Sequence, residues 1–512
     1  MRNVITVLCL LLALPLGAQQ RALSRVEDAP GRAGRYVGIV AKGETLRGSQ
    51  LSVLALTARG DTVVAWESGR RLIPASNMKL ITTGLALHEL GPDYRFETRL
   101  AYSGRIEDGV LHGDVYIIGG GDPTLGAKDS IAVPPGTLFA GWKKMLTDAG
   151  IRRIGGRIVG DGRRFDGPIE QDTWMYQDLG TYYGAGGNGL SFYRNVMDIE
   201  VAAGAKPGDP VAMNPVYPAT PWMRWSNAAA TAAKGTGDKL YLFNTDLAPV
   251  AELRGTFAVD RKPKKEECSN KFGALTCAHY FREYLRQNGV AVSGIADITA
   301  SGRLRSETFE DLGLPADSLC PLGSTLSPSL LRIAKITNWR SDNFYAETLY
   351  RILSVEKRGS ADYAVCREAE ETALRHLGLD PSSVSIVDGS GLSRKNWISP
   401  EFFCAFLRRM MDSPVFGDYI GTLASPGKPG PYAGRLQNEA RDLKERIFYK
   451  SGSMEGVHCY SGYVVPPGGG KEDMVVFSVM LNNCTAPTWK YLPLIDKIIA
   501  LIATETRDRA EN

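Results

Sequence analysis

Short apolar runs mark both ends of the chain. Near the start, "SVLALTA" (52–58) and "TVVAWES" (62–68) are rich in β-forming residues and are separated by "RGD", which predicts a β-hairpin. Near the end, three further runs predict strands: "RIFYKSGSM" (446–454), "HCYSGYVVP" (458–466) and "DMVVFSVMLNN" (473–483). Two strands at the start and three at the end predict one antiparallel sheet.

Longer segments with helical periodicity lie between and after these strands. They are "LIPASNMKLITTGLALHEL" (72–90), one helix within 272–294, two within 327–355 and a C-terminal helix at 489–506. Their apolar positions recur at the three- and four-residue spacing of a helix face. Strands and helices in this order predict an α+β fold, with helices packed on an antiparallel sheet.

The stretch from 99 to 300 differs from the rest of the chain in composition. Many glycines and short strand-like runs such as "DVYIIGGGDPTL" and "DKLYLFNTD" are broken by polar loops, which predicts mostly β structure. A chain of 512 residues is long enough for about three domains. We therefore expect a sheet-and-helix domain built from 30–98 and 301–506, with two nested domains inserted at 99–300.

Charge argues against a polyanion-binding protein. The formal net charge is only +4, and the one basic run, "RKPKK" at 261–265, is followed directly by Glu266 and Glu267. Nucleic-acid binders usually concentrate positive charge on one face. No nucleic-acid partner is expected.

The cysteines and histidines do not indicate a metal or cofactor. Seven cysteines follow residue 18, an odd number, and Cys268 with Cys277 or Cys459 with Cys484 could bridge in an oxidising compartment. None of the seven has C-x-x-C spacing, and the five histidines form no H-E-x-x-H motif. We therefore predict no metal site and no cofactor.

The N-terminus resembles an export signal. Arg2 precedes the apolar run "VITVLCLLLALPL", which ends in small residues before Gln19. The run is too short to span a bilayer, and no later stretch approaches the roughly 20 apolar residues that a spanning helix needs. We predict a signal peptide at 1–18, cleaved near Ala18, and a periplasmic protein with no stable membrane anchor. The sequence leaves the oligomeric state open.

Ser76 and Lys79 are the first candidate catalytic residues. They lie three apart at the first predicted turn of the 72–90 helix, just after Pro74, and residues at this spacing share one face of a helix. A serine hydroxyl is a weak nucleophile until a base is placed against it, and a lysine amine can supply that base. The helix start also offers free backbone N–H groups for an oxyanion.

The same S-x-x-K spacing occurs a second time, at Ser354 and Lys357. A single match is therefore weak, because a capping serine followed by a solvated lysine gives the same pattern. Companion motifs are needed to separate the two copies.

Two companion motifs follow in the order found in penicillin-interacting serine enzymes, which combine S-x-x-K with S-D-N and K-T-G. The first is "SDN" at Ser341, Asp342 and Asn343, on the link between two predicted helices. Ser341 can relay a proton towards a leaving amine, and the amide of Asn343 can orient a peptide backbone. Alone, Ser341 is equally explained as a helix cap.

The second is "KSG" at Lys450, Ser451 and Gly452, inside a predicted strand. Lys450 offers positive charge for a terminal carboxylate and Ser451 a hydroxyl donor. That charge, together with burial, favours the partly neutral Lys79 that a base requires. Gly452 lets a substrate lie along the strand, and the N–H of Ser453 can complete an oxyanion hole with that of Ser76. Alone, Lys450 and Ser451 are better explained as solvent-facing residues of a strand.

With these motifs in place, the chain resembles the penicillin-binding D-alanyl-D-alanine carboxypeptidase/endopeptidases of the DacB type. The similarity extends to "PASNMKLITTGLALHELGPDYRFETRL", "YIIGGGDPTL", "DGSGLSR" (388–394) and "YKSGSMEGVHCYSGYV", and so to nearly the whole mature chain. It implies a transpeptidase-like fold with domains inserted between the first two motifs. It also implies that the nucleophile is Ser76, the base Lys79, the proton relay Ser341, the substrate ligand Asn343 and the carboxylate anchor Lys450.

One residue departs from the commoner family pattern, which has threonine where this chain has Ser451. The hydroxyl is retained, so the resemblance implies a change in fit and not in chemistry. The loop "DGSGLSR" either lines the pocket or forms a plain tight turn, and its residues are not among our catalytic candidates.

The resulting prediction is an exported serine D-Ala-D-Ala carboxypeptidase, with endopeptidase activity open, which acts on peptidoglycan stem peptides through a Ser76 acyl-enzyme and binds β-lactams. Three alternatives remain. A β-lactamase would share the acylation step, and a wall-binding scaffold would keep the fold without turnover. A Ser-His-Asp hydrolase lacks support, because the chain has no G-x-S-x-G motif.

Overall fold

A computed structural model describes residues 31–294 and 319–511. These residues form two compact units. The first unit comprises 31–77, 397–412 and 424–511, and the second comprises 78–294, 319–396 and 413–423.

In the described ranges, helices lie before, among and after the strands. They are α1 (Arg32–Lys42), α2 (Met78–Leu90), α3 (Pro135–Asp148), α4 (Gly273–Gln287), α5 (Leu330–Arg340), α6 (Asn343–Arg358), α7 (Tyr363–His376), α8 (Pro400–Asp412), α9 (Phe416–Gly421), α10 (Arg441–Glu445) and α11 (Thr488–Glu511).

The strands are concentrated before α5 and after α10. They are β1 (Gln50–Thr57), β2 (Thr62–Trp66), β3 (Glu97–Tyr102), β4 (Arg105–Glu107), β5 (Val110–His112), β6 (Val115–Ile118), β7 (Arg153–Ile154), β8 (Ile158–Asp161), β9 (Val196–Ala202), β10 (Ala212–Tyr217), β11 (Arg224–Asn227), β12 (Ala230–Ala232), β13 (Tyr241–Thr245), β14 (Ala248–Arg254), β15 (Thr256–Ala258), β16 (Lys264–Ser269), β17 (Ala291–Val292), β18 (Cys320–Leu326), β19 (Ile447–Met454), β20 (Val457–Val464) and β21 (Val475–Asn482).

The first unit is built on one five-stranded sheet in the order β19-β20-β21-β1-β2. Every neighbouring pair is antiparallel. Each residue of β21 is buried, because α8 covers this strand and β1 from one side and fully buried strands need apolar residues on both faces. Helix α1 packs on β2 and against α11. The predicted hairpin, the three C-terminal strands and the α+β class are confirmed.

The second unit combines packed helices with small sheets. Helix α2 packs against α5 and α6, and α6 packs against α7. Residues 97–294 supply strands β3 to β17, which with β18 form sheets in the orders β18-β3-β6-β8, β17-β7-β5-β4, β10-β9-β16, β11-β14-β13 and β12-β15.

The cysteine pairs suggested by the sequence are not bridged. All seven cysteines in the described ranges are free thiols. The thiols of Cys268 and Cys459 instead donate to backbone carbonyl oxygens, those of Met197 and Ile73, each at 3.4 Å. Both thiols are fully buried, and burial raises the pKa of each, which favours the inert protonated form.

The predicted signal peptide, 1–18, lies outside the described residues. Within 31–294 and 319–511, no helix combines the length and the apolar character needed to cross a bilayer.

Candidate functional site

In the first unit, Ser76 lies in a short 3₁₀ turn, Ala75–Asn77, directly before α2. The sequence predicted the first turn of an α-helix. The difference begins at Ala75, whose φ of 46° is left-handed, a conformation that is uncommon outside glycine and is found at functional sites when neighbours hold it in place. Ser76 is half-buried, so the turn leaves its side chain partly accessible.

Side chains of the central strands hold the backbone just before and after Ser76. Asn482 of β21 accepts a hydrogen bond from the N–H of Ile73 at 2.9 Å and donates to the Ile73 carbonyl at 3.1 Å. Asn77 donates through Nδ2 to Ser461 Oγ on β20 at 2.7 Å. The nucleophile candidate is thus attached to the sheet by buried polar contacts on both sides.

Gly452 of the "KSG" motif lies against the same turn. A Cβ atom at this position would be 2.5 Å from the Pro74 carbonyl oxygen and 2.8 Å from the backbone nitrogen of Ser76. Such contacts with backbone atoms cannot be relieved by a side-chain rotation. The glycine is therefore required for close approach, and the structure brings the first and third motifs together here.

The remaining residues of that motif lie along β19, as predicted. Lys450 is 1% exposed and donates to the Ser451 carbonyl oxygen at 2.5 Å. The hydroxyl groups of Ser451 and Tyr432 form a hydrogen bond at 2.9 Å, and the backbone N–H of Ser451 donates to the Tyr432 hydroxyl oxygen at 2.8 Å. Ser453 is exposed. Tyr432, which sequence reasoning missed, fixes the serine that replaces the commoner threonine.

In the second unit, Lys79 of α2 is fully buried. Its ammonium donates to Asn343 Oδ1 at 2.7 Å and to the Ser390 carbonyl oxygen at 2.8 Å. Burial lowers the pKa of Lys79 to about 8, although the negative charges of nearby carboxylates, Asp388 first, oppose this shift. The sequence predicted a partly neutral Lys79 through burial, and the direction of the pKa agrees. A contribution from the Lys450 charge stays a prediction.

Asn343 connects Lys79 to a loop of the 99–300 segment. Its Oδ1 accepts from Lys79, and its Nδ2 donates to the Tyr183 carbonyl oxygen at 3.0 Å. Since both ends of the amide are bound, its orientation is fixed. The structure therefore brings the first and second motifs together through this one side chain.

Ser341 and Asp342 form the junction between α5 and α6. Ser341 is half-buried and left-handed, with a φ of 56°, where α5 ends. Asp342 caps α6 by accepting from the N–H of Tyr345 at 3.0 Å, and it forms an ion pair with Arg194 at 2.7 Å. The cap and the ion pair set the backbone on which Ser341 and Asn343 are held.

The loop "DGSGLSR" folds around a buried carboxylate. Asp388 is fully buried and accepts four hydrogen bonds, from Gly391 N (2.8 Å), Ser393 N (2.6 Å), Asn396 Nδ2 (2.8 Å) and Trp174 Nε1 (3.0 Å). A buried charge with this many donors is well satisfied. These hydrogen bonds hold the loop in place where the Ser390 carbonyl oxygen accepts from the Lys79 ammonium.

Glu347 of α6 contacts the same loop, at Ser390. It is 1% exposed, and its Oε1 accepts from the Ser390 N–H at 2.7 Å. Burial, together with the negative charge of Asp388, raises the pKa of Glu347 to about 7. Ser390 therefore links Glu347, on its N–H, to Lys79, on its carbonyl oxygen.

The second S-x-x-K copy has a structural role, although not that of the helix cap and solvated lysine considered above. Ser354 is fully buried in α6 and donates to the Ser360 carbonyl oxygen at 2.6 Å. Lys357 forms an ion pair with Glu89 at 2.8 Å. This lysine contacts a carboxylate, whereas Lys79 donates to two neutral oxygens.

The comparison with protein families is decisive here. The sequence model of the D-Ala-D-Ala carboxypeptidase 3 (S13) family matches residues 37–492, which is most of the chain. The chain belongs to this family. As an S13 protein it is a serine-type D-Ala-D-Ala carboxypeptidase and a penicillin-binding serine peptidase, so the predicted resemblance is confirmed.

Individual S13 relatives agree with this assignment. A D-alanyl-D-alanine carboxypeptidase from Actinomadura sp. is 28% identical over 444 residues, 85% of this chain and 78% of the relative. The D-alanyl-D-alanine carboxypeptidase DacB of Haemophilus influenzae is 23% identical over 447 residues, 84% of this chain and 85% of the relative. In both cases the matched region covers most of the relative's own length.

The fold is also that of a solved structure. The crystal structure of penicillin binding protein 4 (dacB) from Haemophilus influenzae matches with a TM-score of 0.76 and 21% sequence identity, covering 93% of this chain and 99% of that one. A second structure of the same protein, complexed with a β-lactam, matches with a TM-score of 0.71 and 21% identity, covering 92% of this chain and 98% of that one.

Several residues that hold the motif segments, each within its own unit, were missed or left undecided from the sequence. They are Asp388 and Ser390 of the undecided glycine loop, Glu347, Arg194, Tyr183 and Tyr432. The glycines of "DGSGLSR" were the only local signal, and they did not separate a tight turn from a loop that holds the lysine. The other contacts join residues far apart in the chain.

Proposed function

We propose that this S13 protein is exported and removes D-alanine from peptidoglycan stem peptides through an acyl-enzyme on Ser76. The observation that carries the proposal is the environment of Lys79, three residues after Ser76. A fully buried lysine, held by two neutral oxygens and with its pKa lowered to about 8, is suited to exchange protons near neutral pH.

Acylation begins when Lys79 takes up the hydroxyl proton of Ser76. The Ser76 oxygen then attacks the carbonyl carbon of the penultimate D-alanine, and a tetrahedral oxyanion forms. The backbone N–H groups of Ser76 and Ser453 stabilise that oxyanion. This role is supported by Gly452, which brings β19 against the Ser76 turn.

Breakdown of the intermediate releases the terminal D-alanine. The C–N bond breaks, Ser341 relays a proton to the departing amine, and an ester remains on Ser76. Lys450 and Ser451 hold the terminal carboxylate before this step, and Asn343 orients the peptide backbone. Water then hydrolyses the ester and restores the serine. A cross-bridge with a D-alanyl carbonyl would be cleaved in the same way, and we include endopeptidase activity in the proposal.

The organisation of the chain is part of the proposal. We assign 1–18 as a signal peptide cleaved near Ala18 before release into the periplasm, 30–98 with 301–506 as the catalytic domain, and 99–300 as inserted. Residues 1–30 and 295–318 lie outside the described residues. Mass spectrometry of the secreted protein tests the cleavage, with a mature N-terminus near Gln19 as the expected result.

Penicillin labelling tests the nucleophile. A fluorescent penicillin is expected to label the folded wild-type protein covalently and to leave Ser76→Ala unlabelled. Ser354→Ala, the serine of the second S-x-x-K copy, is the matched control and should label as the wild type does. Equal labelling of Ser76→Ala would exclude Ser76.

Turnover separates the proposal from its alternatives. Incubation with a peptide ending in D-Ala-D-Ala should release free D-alanine, which a non-catalytic scaffold would not do. Release of bound penicillin should be slow, whereas loss of the label within seconds would identify a β-lactamase. Mass spectrometry of digested peptidoglycan would then show whether cross-bridges are also cut.

A further inference from the structure

An aromatic groove crosses the second unit beside the Asn343 segment. It has a volume of about 690 Å³, within the range of about 300–1,000 Å³ that is typical of ligand sites. Residues of the 3₁₀ turn Tyr176–Asp178 and of β13 and β14 together form part of its wall. The catalytic roles proposed above make no use of this wall.

The wall of the groove is a preformed surface of packed rings. Tyr176 stacks on Phe243 with 4.5 Å between ring centroids, and Tyr241 meets Phe243 edge-on at 5.1 Å. The Arg254 guanidinium lies 4.5 Å from the Phe243 ring centre. Tyr176 is 59% exposed and Tyr241 is 43% exposed. The rings contact each other yet remain open to solvent, so a ligand would meet them with little ordering cost.

The groove is continuous with the segment that holds Asn343. Tyr182 and Tyr183 line it, and the Tyr183 carbonyl oxygen is the acceptor of the Asn343 amide at 3.0 Å. A molecule in the groove therefore lies beside the residue to which we assign the peptide backbone of the substrate.

Polar groups border the rings. Gln177, Arg254, Glu266 and Glu267 also line the groove. A sugar ring matches such a surface, because its C–H bonds lie against the electron-rich face of an aromatic ring while its hydroxyl and acetamido groups bind amides, guanidinium groups and carboxylates. A purely apolar ligand would cover these border groups without offering them any hydrogen bond.

We infer that this groove binds the sugar chain of peptidoglycan, made of N-acetylhexosamine units, while the attached stem peptide extends towards Asn343. The inference rests on the proposed function, since the sugar must be joined to the peptide that is cleaved. It assigns the ring surface to recognition of the polymer and not to chemistry.

Two substrates with the same stem peptide test the inference, one carrying the disaccharide of N-acetylglucosamine and N-acetylmuramic acid and one without it. The wild type should process the disaccharide-peptide with the higher kcat/KM. Tyr176→Ala and Tyr241→Ala should each lower kcat/KM for the disaccharide-peptide about ten-fold, mainly through KM, because one stacked ring is commonly worth about that factor. Their kcat/KM for the free peptide should not change.

Trp489→Ala is the matched control, because Trp489 is also a solvent-exposed aromatic, at 71%, and lies in the first unit. It should leave both substrates unchanged. Equal rates for the two substrates in the wild type would overturn the inference. So would equal losses on both substrates in Tyr176→Ala, which would place the stem peptide itself in the groove.

Direct binding keeps this test separate from that of the proposed function. Calorimetric titration of the Ser76→Ala protein with the peptide-free disaccharide should show binding that Tyr176→Ala in the same background weakens about ten-fold. If penicillin labels Ser76 but the disaccharide does not bind, the groove assignment fails and the proposed function stands. If the disaccharide binds and no labelling occurs, the proposed function fails and the groove assignment stands.

Discussion

Lys79 and Lys271 are both buried lysines of the second unit, with 0% and 3% of their surface exposed, and the protein holds them differently. The Lys271 ammonium forms an ion pair with Glu170 at 2.6 Å. Lys79 donates to two neutral oxygens, those of the Asn343 amide and the Ser390 carbonyl. Burial is the largest cause of a lowered pKa in both.

The two lysines differ in how their partners affect the balance between the charged ammonium and the neutral amine. A carboxylate in contact stabilises the ammonium relative to the amine, so the Glu170 charge opposes the lowering of the Lys271 pKa by burial, as expected of a structural ion pair. Neutral acceptors orient Lys79 with a much weaker preference for the charged form, and its pKa of about 8 places both forms within reach. Burial alone therefore does not distinguish the two lysines, whereas the charge of their partners does.

Replacing the two lysines in turn is the strongest test of this difference between them. We expect Lys79→Met to lower the rate constant of penicillin acylation about 10²–10⁴-fold, because the thioether cannot take up a proton. Lys271→Met should change it less than ten-fold. Time courses with a fluorescent penicillin measure both, and equal losses would show that burial and not proton transfer is the shared requirement.

Stability should respond in the opposite sense. We expect Lys271→Met to lower the free energy of unfolding by about 3–5 kcal/mol, because it leaves the Glu170 carboxylate in a largely buried site without its partner. Urea unfolding measures this loss. The double variant Lys271→Met/Glu170→Leu should recover much of it. A single variant as stable as the wild type would contradict the structural role.

The pH dependence of acylation sharpens the contrast further. The base is active only as the neutral amine, so the rate constant should rise about ten-fold per pH unit below the pKa of Lys79 and level off above about 8. Acylation rates measured across this range test the sign and the midpoint. A midpoint near the ordinary lysine pKa of about 10.4 would show that burial does not govern this group.

The smallest expected effect is a displacement of that midpoint. The charge of Glu347 raises the pKa of Lys79, so Glu347→Gln should move the acylation midpoint to lower pH, while its amide oxygen still accepts from Ser390. Glu356→Gln, in the exposed part of the same helix, is the control and should leave the midpoint unchanged. A midpoint displaced to higher pH in Glu347→Gln would contradict this electrostatic reading.

Much of the sheet was predictable because its signals are local. The hairpin of β1 and β2 and the three strands β19 to β21 follow from short β-rich runs bounded by turn residues. The motif residues were predictable for a related reason: each combines a distinctive side chain with a short fixed spacing. The two S-x-x-K copies could be separated by their companions alone.

The supporting contacts could not be predicted, because they depend on distant parts of the chain meeting. Asp388 is 214 residues from Trp174, which donates to it, and no periodicity links such positions. The left-handed conformations of Ala75 and Ser341 also contradict local preference, and tertiary packing overrides propensity at such places. Sequence reasoning thus identified the candidate reacting groups, and the structure shows which residues hold them in place.

The attachment of Ile73 to Asn482 has a consequence for heat inactivation. A side chain from a central strand holds both the N–H and the carbonyl of the segment that leads to Ser76. The Cys459 thiol of β20 donates to the same carbonyl oxygen at 3.4 Å, so separation of the strands removes these contacts together. Loss of penicillin labelling on warming should therefore coincide with melting of the five-stranded sheet. A labelling assay would then also report the unfolding temperature of the first unit.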